Sequence, residues 1–170
     1  FLNKLNNLVK SCTKSFENYE YSKSKNETEK FFWSMFCDNY LEIVKKRIYN
    51  NKEGKESAQY TLYQGLLTIL KLIAPIMPFI TEEIYQTYFK EIEGEKSIHL
   101  SKWPESEDKN EKTESLDLLL ETITKIRQEK SNNQKPMNSE ITLTLPKETK
   151  TTIKEMLEDL IMLAFNDASL

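Results

Sequence analysis

The stretch Lys30-Phe-Phe-Trp-Ser-Met-Phe-Cys-Asp-Asn-Tyr-Leu-Glu-Ile-Val-Lys-Lys-Arg-Ile-Tyr49 decides the fold. Trp33, Cys37, Tyr40, Val44 and Ile48 recur at helical spacing, and Phe32, Phe36 and Ile43 widen the stripe they form. The opposite side carries Ser34, Asp38, Glu42, Lys45 and Lys46, with Glu42 and Lys46 one turn apart and able to pair. Asn26, followed by Glu29, offers an N-cap with a capping-box partner. The pattern predicts one amphipathic helix over roughly 26–49, about 36 Å long at the standard rise, with an unusually aromatic buried side.

The flanking sequence repeats the helical period. Leu2, Leu5, Val9, Cys12 and Phe16 mark a helix over 1–17, and the polar residues 18–25 read as a turn. Beyond a break at 50–54, Ala58, Leu62, Leu66, Ile69 and Ile73 mark a central helix on which Gly65 admits the close approach of another backbone. Pro75 and Pro78 interrupt that run, because proline lacks an amide donor and crowds the preceding turn. Thr81, with Glu82 and Glu83, is the expected cap of a helix over 81–91 whose inner residues are Ile84, Tyr85 and Tyr88. An extended piece, Ser97 to Leu100, and Trp103-Pro104 read as a connector laid over the bundle. A helix is expected from Leu116 to about Lys130, a polar loop over 132–138, a half-buried strand over 141–145 and a helix over 148–165. The expected fold is mainly α: an antiparallel helix bundle over 1–112 with a small α/β appendage, helix–strand–helix, over 113–170.

Composition agrees. Only 3 Gly and 5 Pro accompany 30% charged residues, which suits long helices rather than many tight turns. Cys12 and Cys37 form neither a disulfide framework nor a zinc spacing, so a reduced, cytoplasmic setting fits. No run approaches the roughly 18 apolar residues that cross a bilayer, and the opening Phe-Leu-Asn-Lys reads as a cut in a longer chain. The single His99 lacks a ligand-spaced partner, and three scattered glycines build no phosphate loop. Glu82 and Glu83 read as capping charge. Cys37 has no base near it in sequence, so neither pair nor thiol is read as catalytic.

A binding surface is what remains. The net charge of −3 argues against a generic nucleic-acid binder, yet residues 1–60 hold eleven Lys/Arg against eight Asp/Glu, leaving −6 on the rest. Trp33, Phe36 and Tyr40 beside Asp38, Lys45 and Arg47 combine stacking rings, a base-reading carboxylate and phosphate-neutralising cations. Aromatics at helical spacing are also ordinary core, and pattern alone leaves both readings open.

Residues 30–49 closely resemble the tRNA-contacting helix of valyl-tRNA synthetases, a family of class I aminoacyl-tRNA synthetases. Its pattern runs Trp, two variable residues, Phe-Cys-Asp, one variable residue, Tyr-Leu-Glu, then Lys and Arg-x-Tyr. Residues 57–86, including Leu72-Ile-Ala-Pro-Ile-Met-Pro-Phe-Ile-Thr-Glu-Glu-Ile-Tyr-Gln86, resemble the next block in order, and Ser97-Ile-His-Leu100 with Trp103-Pro104 resembles the closing element. The nearest alternatives are the same domain of an isoleucyl- or leucyl-tRNA synthetase, which share the proline-rich block. The Phe36-Cys37-Asp38 and Tyr40-Leu41-Glu42 combination favours the valyl family. An α-helical protein-interaction module, its acidic part meeting a basic partner, is the alternative from another class.

The resemblance implies the anticodon-binding domain of class Ia synthetases, docking on the anticodon stem and loop of a valine tRNA and adjoining the catalytic domain of the same polypeptide. It implies a monomeric, cytoplasmic enzyme without membrane contact. The parent ligase attaches valine using ATP and magnesium, but the ATP-holding signatures of the family are missing from these residues, so no cofactor and no catalytic residue is expected in them. Carried over by position, Lys4, Trp33, Phe36, Asp38, Lys45 and Arg47 are the candidates for tRNA contact, and Tyr40 and Glu42 for orienting the helix. The appendage looks more like that of archaeal-type valyl or isoleucyl enzymes than a coiled-coil arm.

Overall fold

A computed structural model describes residues 1–49, 54–106, 114–136, 139 and 149. These form seven α-helices: α1 (Leu2–Glu17), α2 (Tyr21–Lys30), α3 (Glu42–Tyr49), α4 (Lys55–Ile73), α5 (Pro78–Tyr88), α6 (Lys90–Glu93) and α7 (Glu114–Asn132). A π-helical segment, Phe31–Leu41, joins α2 to α3 without a break, and Ile98–Leu100 is one turn of 3₁₀ helix. The described residues contain no strand, in keeping with the mainly α expectation. The strand expected over 141–145 and the helix over 148–165 lie outside the described residues, as does the Lys46 side chain.

The long helix starts five residues before the expected cap. Tyr19 takes a left-handed conformation (φ +59°), which turns the chain back between α1 and α2 within three residues. Asn26 and Glu29 therefore lie inside a helix rather than at its start. Cys12, Ser15, Ser24 and Thr28 are all buried along this hairpin, where their small side chains allow α1 and α2 to pack tightly. The Thr28 hydroxyl bonds back to the Ser24 carbonyl at 2.8 Å, and Cys12 Sγ lies 3.4 Å from Thr28 Oγ1.

The π segment changes which side of the long helix faces in. A single stripe at the α-helical period would place Trp33 and Phe36 at comparable depth. The wider i→i+5 winding instead leaves Trp33 58% exposed and Phe36 only 7%. Phe36 packs among Phe1, Phe31 and Phe32, with Leu5, Leu8, Val9, Cys12, Ile69 and Leu72 beneath. At Gly65 on α4, an added Cβ would sit 3.0 Å from both Phe1 Cε1 and Phe36 Cε2. The glycine therefore makes room for two rings, not for the backbone approach expected from the sequence.

The proline-rich break ends α4 and begins α5, but Thr81 is not its cap. Pro78 occupies the first turn, where its missing N–H costs nothing. The Thr81 hydroxyl bonds back to the carbonyls of Met77 (2.8 Å) and Pro78 (3.1 Å). Nor is Glu82 a free capping charge. Its carboxylate accepts from Gln86 Nε2 (2.6 Å), Ser97 Oγ (2.8 Å) and the Ile98 N–H (3.0 Å), which fastens the 3₁₀ turn onto α5. The expected extended piece is coiled because this clamp and the Ser97 cap hold it as a turn. Burial pushes the Glu82 carboxyl up, but these hydrogen bonds and the nearby His99 outweigh it and hold the group below its ordinary value.

Helix α7 shares a core with the bundle. Leu119, Ile123 and Ile126 of α7 bury against Ile43, Val44 and Ala58. Tyr63 and Lys71 of α4 meet Glu93 of α6, at 2.7 and 3.9 Å, and close the other flank.

Two outcomes follow. Gly65→Val, which drives two methyl groups into the Phe1 and Phe36 rings, lowers stability by about 2 kcal/mol or more, read as a shift of the urea midpoint. Glu82→Gln removes a carboxylate whose folded pKa is depressed, so the lost stability, about 1 kcal/mol, is present above pH 4.5 and vanishes as pH falls through the folded value. Urea unfolding across pH 3–7 should show the two proteins converging in acid.

Candidate nucleic-acid interface

Trp33, Asp38, Glu42 and Lys45 share the outward strip of the π segment and α3. Trp33 lies edge-on to Phe32, with ring centroids 5.0 Å apart. The Asp38 carboxylate is exposed, and Lys45 Nζ lies 3.5 Å from Glu42. Two carboxylates beside one lysine make the strip mixed, not cationic. Phe36 does not belong to it: the ring is buried in the aromatic cluster and offers no face to a base. Tyr40 is half-buried and stacks on Phe1 at 4.2 Å, which fits a supporting part.

The other two cations lie apart. Lys4 pairs with Asp117, tying α1 to α7. Arg47 is half-buried, its guanidinium packed beside Gly54, where the chain takes φ +80° at the start of α4. Arg127 of α7 reaches the strip from outside the sequence-based set, donating to the Asp38 carbonyl at 3.0 Å and to Asn39 Oδ1 at 3.4 Å.

A second group of exposed rings escaped the sequence reading. Tyr19 is 80% exposed and Phe79 91%, with Tyr21, Met77, Ile80 and Leu100 also open to solvent. A chain of ring contacts builds the first part of this surface. Tyr19 meets Tyr21 at 6.3 Å, Tyr21 meets Phe16 at 5.2 Å, and Phe16 meets Trp103 at 4.9 Å. Trp103 Nε1 donates to Thr13 Oγ1 at 2.9 Å, holding the 101–106 segment on the end of α1. His99 Nε2, 3.3 Å from the Pro78 carbonyl, keeps Leu100 next to the start of α5. Lys14, in the last turn of α1, is exposed nearby. The signal was there: two tyrosines inside a polar turn, and a solvent-facing Phe79 after two prolines, are rings that no apolar stripe accounts for.

Among the described residues, no group of three or more His, Cys, Asp or Glu could hold a metal ion. Burial, with Asp38 beside it, pushes the Cys37 thiol up and keeps it protonated. No helix of the described residues is long and apolar enough to cross a membrane.

The described residues form an all-helical bundle with several exposed rings. The chain belongs to the family described as the anticodon-binding domain of tRNA ligase, which it matches over residues 1–145. Among its relatives, the valine–tRNA ligase of Rickettsia felis is 43% identical over 140 residues, covering 76% of this chain and 16% of the relative. That of Haloarcula marismortui is 38% identical over 140 residues, covering 82% and 15%. That of Methanothermobacter thermautotrophicus is 38% identical over 167 residues, covering 94% and 18%. The chain thus spans less than a fifth of each of these relatives.

Alkylation tests the inert reading of the thiols. Cys37 should react with iodoacetamide at pH 7 more slowly than an unshifted cysteine and keep accelerating as pH rises, while Cys12 reacts only on unfolding. A fast thiol at neutral pH would contradict this.

Proposed function

We propose that this chain is the part of a valine–tRNA ligase that binds the anticodon stem and loop of a valine tRNA. In the whole enzyme the attachment of valine, with ATP and magnesium, belongs to a catalytic domain built from residues outside this chain. The proposed enzyme is a cytoplasmic monomer. The observation that carries the reading is the solvent-facing rings, Tyr19 and Tyr21 at the α1–α2 turn and Phe79 in the first turn of α5. Single-stranded loop bases are recognised by stacking on such rings and by hydrogen bonds to their edges. Lys14 supplies one phosphate contact here, and Trp33, Asp38 and Lys45 form a second flank along the long helix. Phe36 acts from below, by holding that helix in place.

Filter binding with a valine tRNA transcript and an anticodon-changed transcript tests this at several salt concentrations. Affinity should fall with salt by a shallow slope, consistent with few phosphate contacts. Tyr19→Ala and Phe79→Ala should each weaken binding by about 1–3 kcal/mol, the usual worth of a base–ring stack. Reversing Lys45 to Glu should weaken it less. Equal affinity for both transcripts at every salt concentration would remove the anticodon-reading claim.

A further inference from the structure

An unbroken run of eleven residues in a π register is costly, because the wide winding loosens packing within the helix and runs of this kind are rare. Something outside the helix must favour it. The register change at its C-terminal edge shows where. When hydrogen bonding returns from i→i+5 to i→i+4, one carbonyl at the junction is left without an amide of its own helix. The π segment ends at Leu41, and an N–H at that edge bonds to the Asn39 carbonyl. The carbonyl just before it is that of Asp38, and it takes the Arg127 Nη2 proton at 3.0 Å.

The second guanidinium nitrogen extends the same grip. Arg127 Nη1 donates to Asn39 Oδ1 at 3.4 Å, and Asn39 Nδ2 donates to the Ser34 carbonyl five residues back along the π segment. Ser34 Oγ in turn bonds to the Lys30 carbonyl at 2.7 Å, where the wide winding begins. One arginine on α7 is thus linked by side chains to the segment from its exit back to its entrance. Arg127 is itself fixed, because Ile123 and Ile126 anchor α7 in the core shared with Ile43 and Val44.

We propose that Arg127 is a positioning residue that sets the π register of Phe31–Leu41, and that through this register it determines that Trp33 and Asp38 face outward while Phe36 faces inward. Relaxation to an α register would turn the residues upstream of the junction about the helix axis by roughly one residue step, about 100°. Trp33 and Phe36 would then exchange much of their exposure. The role of this presentation in RNA binding rests on the proposed function above; the control of the register does not.

NMR couplings transmitted across backbone hydrogen bonds identify the carbonyl that each amide uses. In the unaltered chain, amides toward the end of the segment couple to carbonyls five residues back. In Arg127→Ala these couplings move to four back or disappear, while Arg127→Lys, which keeps the charge and one donor, retains them near Asp38. Should Arg127→Ala fail to fold, Asn39→Ala carries the test, since losing the Ser34 link shortens the five-back pattern from its middle. An unchanged five-back pattern in the folded variant overturns the proposal. Titration with a valine anticodon hairpin completes the test, with affinity expected to fall about three- to ten-fold in Arg127→Ala and to recover in part in Arg127→Lys. If the unaltered chain binds no hairpin, the functional reading fails and the couplings alone decide the register. If the register shifts and affinity does not, the presentation role is overturned.

Discussion

The packing of the Phe1 and Phe36 rings into the space that Gly65 leaves on α4 is the constraint from which the rest of the molecule follows. Both rings fit only if the long helix approaches α4 with Phe36 pointing straight down, and the π winding achieves that by widening the helix there. With Phe36 inside, Phe32 stacks beside it at 6.1 Å and Tyr40 closes over Phe1. The same rotation lifts Trp33 and Asp38 to the surface. A small residue on one helix thereby leaves the space for an inward ring of another, while the Arg127 hydrogen bonds hold the register that turns Phe36 into it.

Much of this was legible from residue spacing. The apolar periods of α1 and α4, the proline break and the inner side of α7 appear where the pattern puts them, because burying an apolar face is the dominant demand on such helices. The failures share one cause: a template of fixed period, capped by polar residues, cannot see tertiary choices. Ser24 lay in the expected polar turn but is buried because α1 lies close against it. Thr81 looked like a cap but lies within the first turn begun by Pro78. Phe36 looked like a stacking platform because the π register, which inverts its exposure relative to Trp33, leaves no mark on the hydrophobic period.

The candidate surface was legible in kind rather than in place. Exposed rings, a base-reading carboxylate and a few lysines were expected; the structure has Trp33, Asp38 and Lys45 exposed and Phe36 buried. It distributes them over two flanks, and it commits Lys4 to Asp117 and packs Arg47 beside Gly54. In an acidic chain of net charge −3, an RNA-binding part then rests on open rings for stacking with a few local cations beside them. The preformed geometry comes from the Glu82 clamp at one end and the Arg127 grip along the other flank.

The most direct measurement of the central claim is a map of backbone amide shift changes as a valine-type anticodon hairpin is added to the isotope-labelled chain. The account predicts that the largest changes fall at Tyr19, Tyr21, Phe79 and Leu100, with smaller ones at Trp33 and Asp38 and none around the buried rings beside Gly65. Changes confined to the outer side of α7, or no changes at concentrations that saturate the whole enzyme, would contradict it.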